Sequence, residues 1–207
     1  MNGAPILRLR GISKCFGSLE LLRNVDLDVD AGVRHLLIGP NGAGKTTLFN
    51  VINGHLNPTS GSIEFDGSDL TRLSVSQRAR RGLGRTFQVA SLFPHLSVWD
   101  NLLIAAQAPG FMAPGGRIAH RIAADALDQF HLGPVRHAIV SNLAYGQQRL
   151  LEIAMALATS PRMLLLDEPM AGLTQEERAT FADQVIALSA HTAILLIEHD
   201  LEVALRI

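Results

Sequence analysis

"VRHLLIGPNGAGKTTLFNVING", residues 33 to 54, decides how the rest of the chain is read. Its opening "VRHLLIG" has the mostly apolar character of a buried strand. The strand runs directly into Gly39-Pro40-Asn41-Gly42-Ala43-Gly44-Lys45-Thr46, which fills G-x-x-x-x-G-K-[ST] at every position. From Thr46 to about Gly54 the residues predict a helix. Strand, glycine-rich loop and helix in that order make a phosphate cradle. Gly39, Gly42 and Gly44 let backbone N–H groups wrap around phosphate oxygens, and Lys45 brings a point charge to the β/γ end of a phosphate chain. Thr46 offers a hydroxyl to Mg²⁺, and the helix N-terminus adds its dipole. A glycine-rich turn that binds nothing is the competing account, and it leaves the strand and helix on either side unexplained.

Such a cradle needs an acidic residue at the end of a neighbouring buried strand. "RMLLLDEP", residues 162 to 169, supplies it. Asp167 is placed to hold the magnesium shell, and Glu168 to polarise a water near a γ-phosphate. A helix-capping pair before Pro169 is the plainer reading of those two acids taken alone. "LLIEHD" puts His199 just past another buried strand, on the side where open α/β sheets bind ligands. Gln88 closes the strand-like "GLGRTFQ" in a comparable way.

Further out, "ILRLRGI" and "LLRNVDLDV" alternate apolar and polar residues as half-buried antiparallel strands do, and "TSGSIEFDG" reads as another short strand. From Ser97 to about Ser141 the character turns helical, with "SVWDNLLIAAQA" and "RIAADALDQFHL" separated by the Pro/Gly-rich "PGFMAPGG". The core resumes with a long helix after Gln147, the strand around Leu165, a helix from about Glu176 to Ala190, and the strand "TAILLIEHD". Strands alternating with helices imply an α/β fold with a mainly parallel central sheet. One domain is expected over residues 1–207, with a core at about 1–90 and 141–207 and an inserted helical subdomain at about 91–140.

Composition sets limits on function. The 207 residues are 47% hydrophobic and 18% charged, fitting a folded, core-rich chain. A net charge of −1 gives no electrostatic footprint for general nucleic-acid binding. One cysteine, Cys15, allows no internal disulfide framework and suits a reducing compartment. The N-terminal residues carry no signal-peptide pattern, and no stretch approaches the roughly 20 apolar residues of a membrane span. Seven histidines besides His199 show no metal-ligand spacing, so a zinc site is not expected.

"SNLAYGQQRLLEIAMALA", residues 141 to 158, raises a separate question. Ser141 and Asn142 are good helix-capping types, yet Gly146 sits in the first turn, where glycine costs a helix about 1 kcal/mol against alanine. A glycine there fits a helix start whose amides are approached closely by an anion.

Taken together, "GPNGAGKTT", Gln88 after a strand, "LAYGQQ", "LLLDEP" and "EHD", in that order, resemble the ATP-binding cassette (ABC) ATPases across essentially the whole chain. The resemblance implies the ABC ATPase form of the P-loop fold and ATP with Mg²⁺ as ligands. It also implies a head-to-tail pair of cassettes with two nucleotides between them. In that arrangement Leu143, Ala144, Tyr145, Gly146 and Gln147 face the partner's ATP. Residue by residue, it further implies that Phe16 stacks on adenine (a core aromatic being the equal alternative), that Thr47 contacts the α-phosphate, and that His199 contacts the γ-phosphate. Gln88 would join Mg²⁺ and water to the helical subdomain, and "AGLT", 171 to 174, would communicate across the pair. Ala144 departs from the usual signature serine, and Thr174 stands where many members have aspartate. The chain ends at Ile207, short of the strands and helix that members normally add, so the fold is expected to be C-terminally short.

"GRTFQ", "LFPHLSVWDNLLIAA", "LAYGQQRLLEIAMALAT", "LDEPMAGLTQEE" and "LLIEHDLEV" are together similar to the ATP-binding subunits of bacterial branched-chain amino acid importers; the urea-importer cassettes are close. This implies a second ABC ATPase subunit, identical or not, two transmembrane permease subunits, and indirectly a solute-binding protein. The place implied is the cytoplasmic face of the bacterial membrane. Gln88 and the helical subdomain would meet the permease, with Arg72, Arg78, Arg80, Arg81 and Arg85 either assisting or forming a solvated helix face. Other classes weighed are a soluble ABC ATPase of DNA repair or translation and a non-catalytic nucleotide-dependent module.

Overall fold

The computed structural model describes residues 4–40, 42–85, 92–107, 116–188 and 192–198. Along the chain come β1 (Leu7–Phe16), β2 (Leu19–Val29), β3 (Arg34–Ile38), α1 (Lys45–Asn53), β4 (Ser60–Phe65), β5 (Ser68–Asp69), α2 (Val75–Ala79) and β6 (Leu83–Arg85). Then follow α3 (Val98–Gln107), α4 (Gly116–Gln129), α5 (Tyr145–Ala158), β7 (Met163–Asp167), α6 (Gln175–Leu188) and β8 (Ala193–Glu198). The alternating N-terminal stretches pair as an antiparallel sheet of order β2-β1-β4-β5, and the apolar strands form a parallel sheet of order β3-β8-β7-β6.

The two middle strands of the parallel sheet are buried throughout, and their side chains divide by parity. Met163, Leu165, Ala193, Leu195 and Ile197 pack on one face into a core shared with Leu7, Leu9, Phe49, Ile52 and Phe65 of the antiparallel sheet and α1. Leu164, Leu166, Ile194 and Leu196 pack on the other face with Leu102 of α3, Ala119 and Ala123 of α4, and Leu151 and Ala154 of α5. Near-continuous apolar strands are what a sheet covered on both faces requires. The apolar residues of α3 and α4 thus lie over one face of the sheet through α5.

Two local details differ from the sequence expectations. Ser141 and Asn142 do not cap the long helix; they belong to a 3₁₀ turn, Val140–Asn142, and α5 starts at Tyr145 with Ala144 in the cap position. Alanine has no side-chain acceptor, so the turn is closed from the other side: Gln147 Oε1 accepts from the Ala144 N–H at 3.2 Å. The second difference is α2, which the sequence reading passed over. Ser74 and Gln77 cap it reciprocally, and its Arg78 is fully buried instead of lying on a solvated face. Arg78 donates to the carbonyls of Val51 and Ile52, both at 2.6 Å, and to Leu73 at 2.9 Å and Thr71 at 3.1 Å. It therefore helps to satisfy the last turn of α1, where the regular helical ladder runs out and Val51 O accepts otherwise from the Gly54 N–H at 3.3 Å. Arg72, Arg80 and Arg81 are exposed, as a solvated face would have them; the Arg85 side chain lies outside the described residues.

Candidate nucleotide site

The parallel register places the chemistry along one edge of the sheet. Ile38, the last residue before the glycine-rich loop, pairs with Glu198, and Asp167 pairs with Ile197. Strands about 4.8 Å apart put the Asp167 backbone roughly 10 Å from the start of that loop, with the end of β8 between them. This is the carboxyl edge, where ligands of open α/β sheets sit.

The loop itself turns through left-handed backbone at Gly42 (φ 83°) and Gly44 (φ 84°). Gly44 is the N-cap of α1, and a Cβ there would come within 2.8 Å of the Leu21 carbonyl oxygen. Only glycine meets both demands. Lys45 is buried to 9% exposure, and its Nζ donates to the carbonyls of Gly39 at 2.7 Å and Pro40 at 2.8 Å. An ammonium has three donors, so the loop's own carbonyls aim Lys45 while leaving capacity for an anion. Ala43 N–H closes the turn on Pro40 O at 3.2 Å. Thr46 and Thr47 follow in the first turn of α1, both half-buried. Asn41 lies outside the described residues.

Asp167 is buried to 1% exposure at the last position of β7, and half-buried Glu168 follows it. Glu168 has φ 45°, a left-handed conformation that costs a non-glycine residue on the order of 1 kcal/mol or more. Three contacts hold it there. Its N–H donates to Ile197 O at 3.0 Å, and its carbonyl accepts from Ala171 N at 3.1 Å and from Arg149 Nη2 at 3.4 Å. The sequence reading missed Arg149 and Glu198. Glu198 is 3% exposed, and its Oε1 accepts from the Met170 N–H at 3.4 Å, tying the end of β8 to the same turn. A hint was present for Arg149: an Arg/Glu pair three residues apart inside the apolar run "QQRLLEIA" is hard to place on a solvated face. As a donor set for Mg²⁺, the Thr46 hydroxyl and the Asp167 carboxylate are oxygens only, the kind a hard cation takes. Gln88 and His199 lie outside the described residues.

Phe16 ends β1 at 48% exposure with Lys14 Nζ 4.9 Å from its ring centre, so it is not a core aromatic. At the start of α5, Leu143 and Gly146 are buried, while Ala144 and Tyr145 are exposed. Gly146 has an internal reason to lack a side chain: a Cβ would overlap the Glu177 carboxylate. That carboxylate also caps α6, accepting from Thr174 N at 2.8 Å. Tyr145 lies against Gly172, and its hydroxyl donates to Ala171 O at 3.3 Å.

A strand, phosphate loop and helix, with two acids at the end of a strand in the same parallel sheet, define a P-loop nucleotide-binding protein. The chain belongs to the ABC transporter family, whose model matches residues 22–171, and it is an ATPase of that family. It is 38% identical to the high-affinity branched-chain amino acid transport ATP-binding protein BraF of Pseudomonas aeruginosa, covering 98% of this chain and 85% of that one. To LivG of Escherichia coli K12, described in the same words, it is 40% identical with the same coverage. To the lipopolysaccharide export ATP-binding protein LptB of that strain it is 37% identical, over 81% of this chain and 68% of LptB. Among solved structures it is similar to the ADP conformation of MJ1267, an ATP-binding cassette of an ABC transporter. There the TM-score is 0.86 and the identity 32%, with coverage of 98% of this chain and 84% of that one. A dimeric post-hydrolysis state of the cassette MJ0796 with ADP and Pi gives a TM-score of 0.84 at 25% identity, covering 97% and 90%.

Proposed function

We propose that the chain powers a bacterial importer of branched-chain amino acids. The likeness to BraF and LivG, 38% and 40% identical over 98% of the chain, supports that cargo. The observation that carries the catalytic reading is the alignment of the phosphate loop with Asp167 and Glu168 along one sheet edge.

In this reading Gly39 to Thr47 bind the phosphates, with Lys45 at the β/γ end, and exposed Phe16 stacks on adenine. Thr46 and Asp167, with Gln88, hold Mg²⁺, which neutralises phosphate charge when bound. Glu168 takes the proton of a water attacking the γ-phosphorus as the bond to the β-phosphate oxygen breaks, and His199 steadies the departing phosphate. Leu143 to Gln147 close on the nucleotide of a second cassette, identical or not. The exposed start of α5 and the dimeric MJ0796 state with ADP and Pi support that pairing. Two membrane permeases and a solute-binding protein complete the system, with this chain on the cytoplasmic face. In this reading attachment runs through those partners; among the described residues no helix is long and apolar enough to cross a membrane.

The test is Glu168→Gln. The variant is expected to bind ATP as wild type does, to lose turnover by about 100-fold or more, and to sediment as a dimer with ATP but not with ADP. Normal turnover would remove Glu168 from the hydrolytic role. For the cargo, the assembled system in vesicles should take up leucine; uptake of urea alone would move it to another importer branch.

A further inference from the structure

Arg149 lies in the second turn of α5, and nothing in the phosphate-loop chemistry calls for it. Its side chain is 8% exposed, and so is that of Glu152, which it meets through Nη1 at 2.6 Å. The rest of the guanidinium turns away from its own helix. Nε donates to Pro169 O at 3.1 Å and Nη2 to Glu168 O at 3.4 Å. A planar fork fixed by Glu152 on one side has little freedom on the other. The two carbonyls it holds are successive, that of Glu168, which belongs to the peptide joining it to Pro169, and that of Pro169 itself.

That peptide matters because Glu168 is in a backbone conformation that surroundings must enforce. Ile197 fixes its N–H side, and Ala171 closes the turn behind it. Of the three holds on it described above, only the one from Arg149 comes from α5. The same helix touches the far end of this turn as well, where Tyr145 lies on Gly172 and reaches Ala171 O. The first two turns of α5 therefore grip the segment 168–172 at both ends. Burial pushes the Glu152 carboxyl upward while Arg149 opposes that shift, as expected of an anchor that has given up water for a single cation.

We propose that Arg149 is a positioning residue for ATP hydrolysis: it carries the position of α5 to the backbone of Glu168 and so sets where the Glu168 carboxylate points. The consequence is that the helix start facing a partner's nucleotide and this chain's own water-activating group move as one piece. This rests on the hydrolytic role proposed above for Glu168.

The test compares Arg149→Met, Arg149→Lys and Glu152→Gln in the full chain, reading steady-state ATPase, equilibrium ATP binding and thermal melting. Glu152→Gln keeps an oxygen acceptor for Arg149 Nη1 and leaves both carbonyl bonds of Arg149 in place, whereas Arg149→Met removes all three. The expected result is a kcat lowered about 10- to 100-fold in Arg149→Met with ATP affinity within about twofold, as a misplaced group gives. Arg149→Lys should recover part of the loss, and Glu152→Gln should stay within about threefold of wild type. An unchanged kcat in a folded Arg149→Met overturns the proposal, and so does an equal loss in Glu152→Gln, which would make the buried pair the cause. Should Arg149→Met not fold, Arg149→Lys decides: reduced kcat at preserved affinity supports the proposal, unchanged kcat overturns it. Full turnover in Glu168→Gln would instead strike the role of Glu168 itself, whatever Arg149 does.

Discussion

Lys45 shows how much of the site rests on single side chains. Its ammonium is held within the loop by two carbonyls, which leaves donor capacity for a phosphate. Lys45→Ala removes a charge-assisted contact worth about 1.5–3 kcal/mol, so ATP affinity should fall about 10- to 100-fold in equilibrium titration. Unchanged affinity would count against the loop as the phosphate site. At the same scale Gly146 shows that one residue can answer to two demands. Its sequence position points to an approaching anion, yet the nearest carboxylate is the chain's own Glu177, placed there by the cap of α6.

Among the elements, α1 depends on a partner remote in sequence. The Arg78 guanidinium closes the carbonyls of Val51 and Ile52, and burial draws its pKa down to about 10. A lysine cannot reach four carbonyls at once. Arg78→Lys should therefore destabilise the chain by about 1–3 kcal/mol in urea titration. The turn after β5 gives a pH effect of known sign. Asp69 accepts from the Thr71 hydroxyl at 2.5 Å and from its N–H at 2.8 Å, which holds the carboxyl below its usual range. A depressed carboxyl contributes stability above the unfolded value of 3.8 and loses it as pH falls through the folded value. Asp69→Asn should accordingly lose less stability than wild type between pH 5 and pH 3, measured by urea titration at each pH. An identical acid slope would show that this turn carries none of it.

For the molecule as a whole, the parallel sheet is the shared wall of two cores. Leu164 and Leu166 belong to one and Met163 and Leu165 to the other, so neither core can be lost without exposing β7. Trp99, the only tryptophan, reports on the helical side: it packs against the first core between His120 and an Arg136 guanidinium 3.8 Å from its ring centre. Thermal unfolding followed by its fluorescence and by far-UV circular dichroism should coincide. An earlier fluorescence transition would mean that α3 and α4 open apart from the sheet.

What the sequence determined by itself is whatever is written locally. The glycine-rich loop imposes its own backbone, β7 and β8 announce burial by unbroken apolar runs, and β1 and β2 show alternation, because period and glycine position act over a few residues. The order β3-β8-β7 and the register setting Ile38, Glu198 and Asp167 along one edge needed the tertiary structure, since strand neighbours are chosen by packing across more than a hundred residues. So did the burial of Arg78 and Arg149. Arg78, in a run of polar residues, reads the same whether it faces water or four carbonyls, and the hint at Arg149 does not say which carbonyls it meets. Only the approach of distant backbone, α1 in one case and the turn after β7 in the other, decides which cost of desolvation is met by hydrogen bonds.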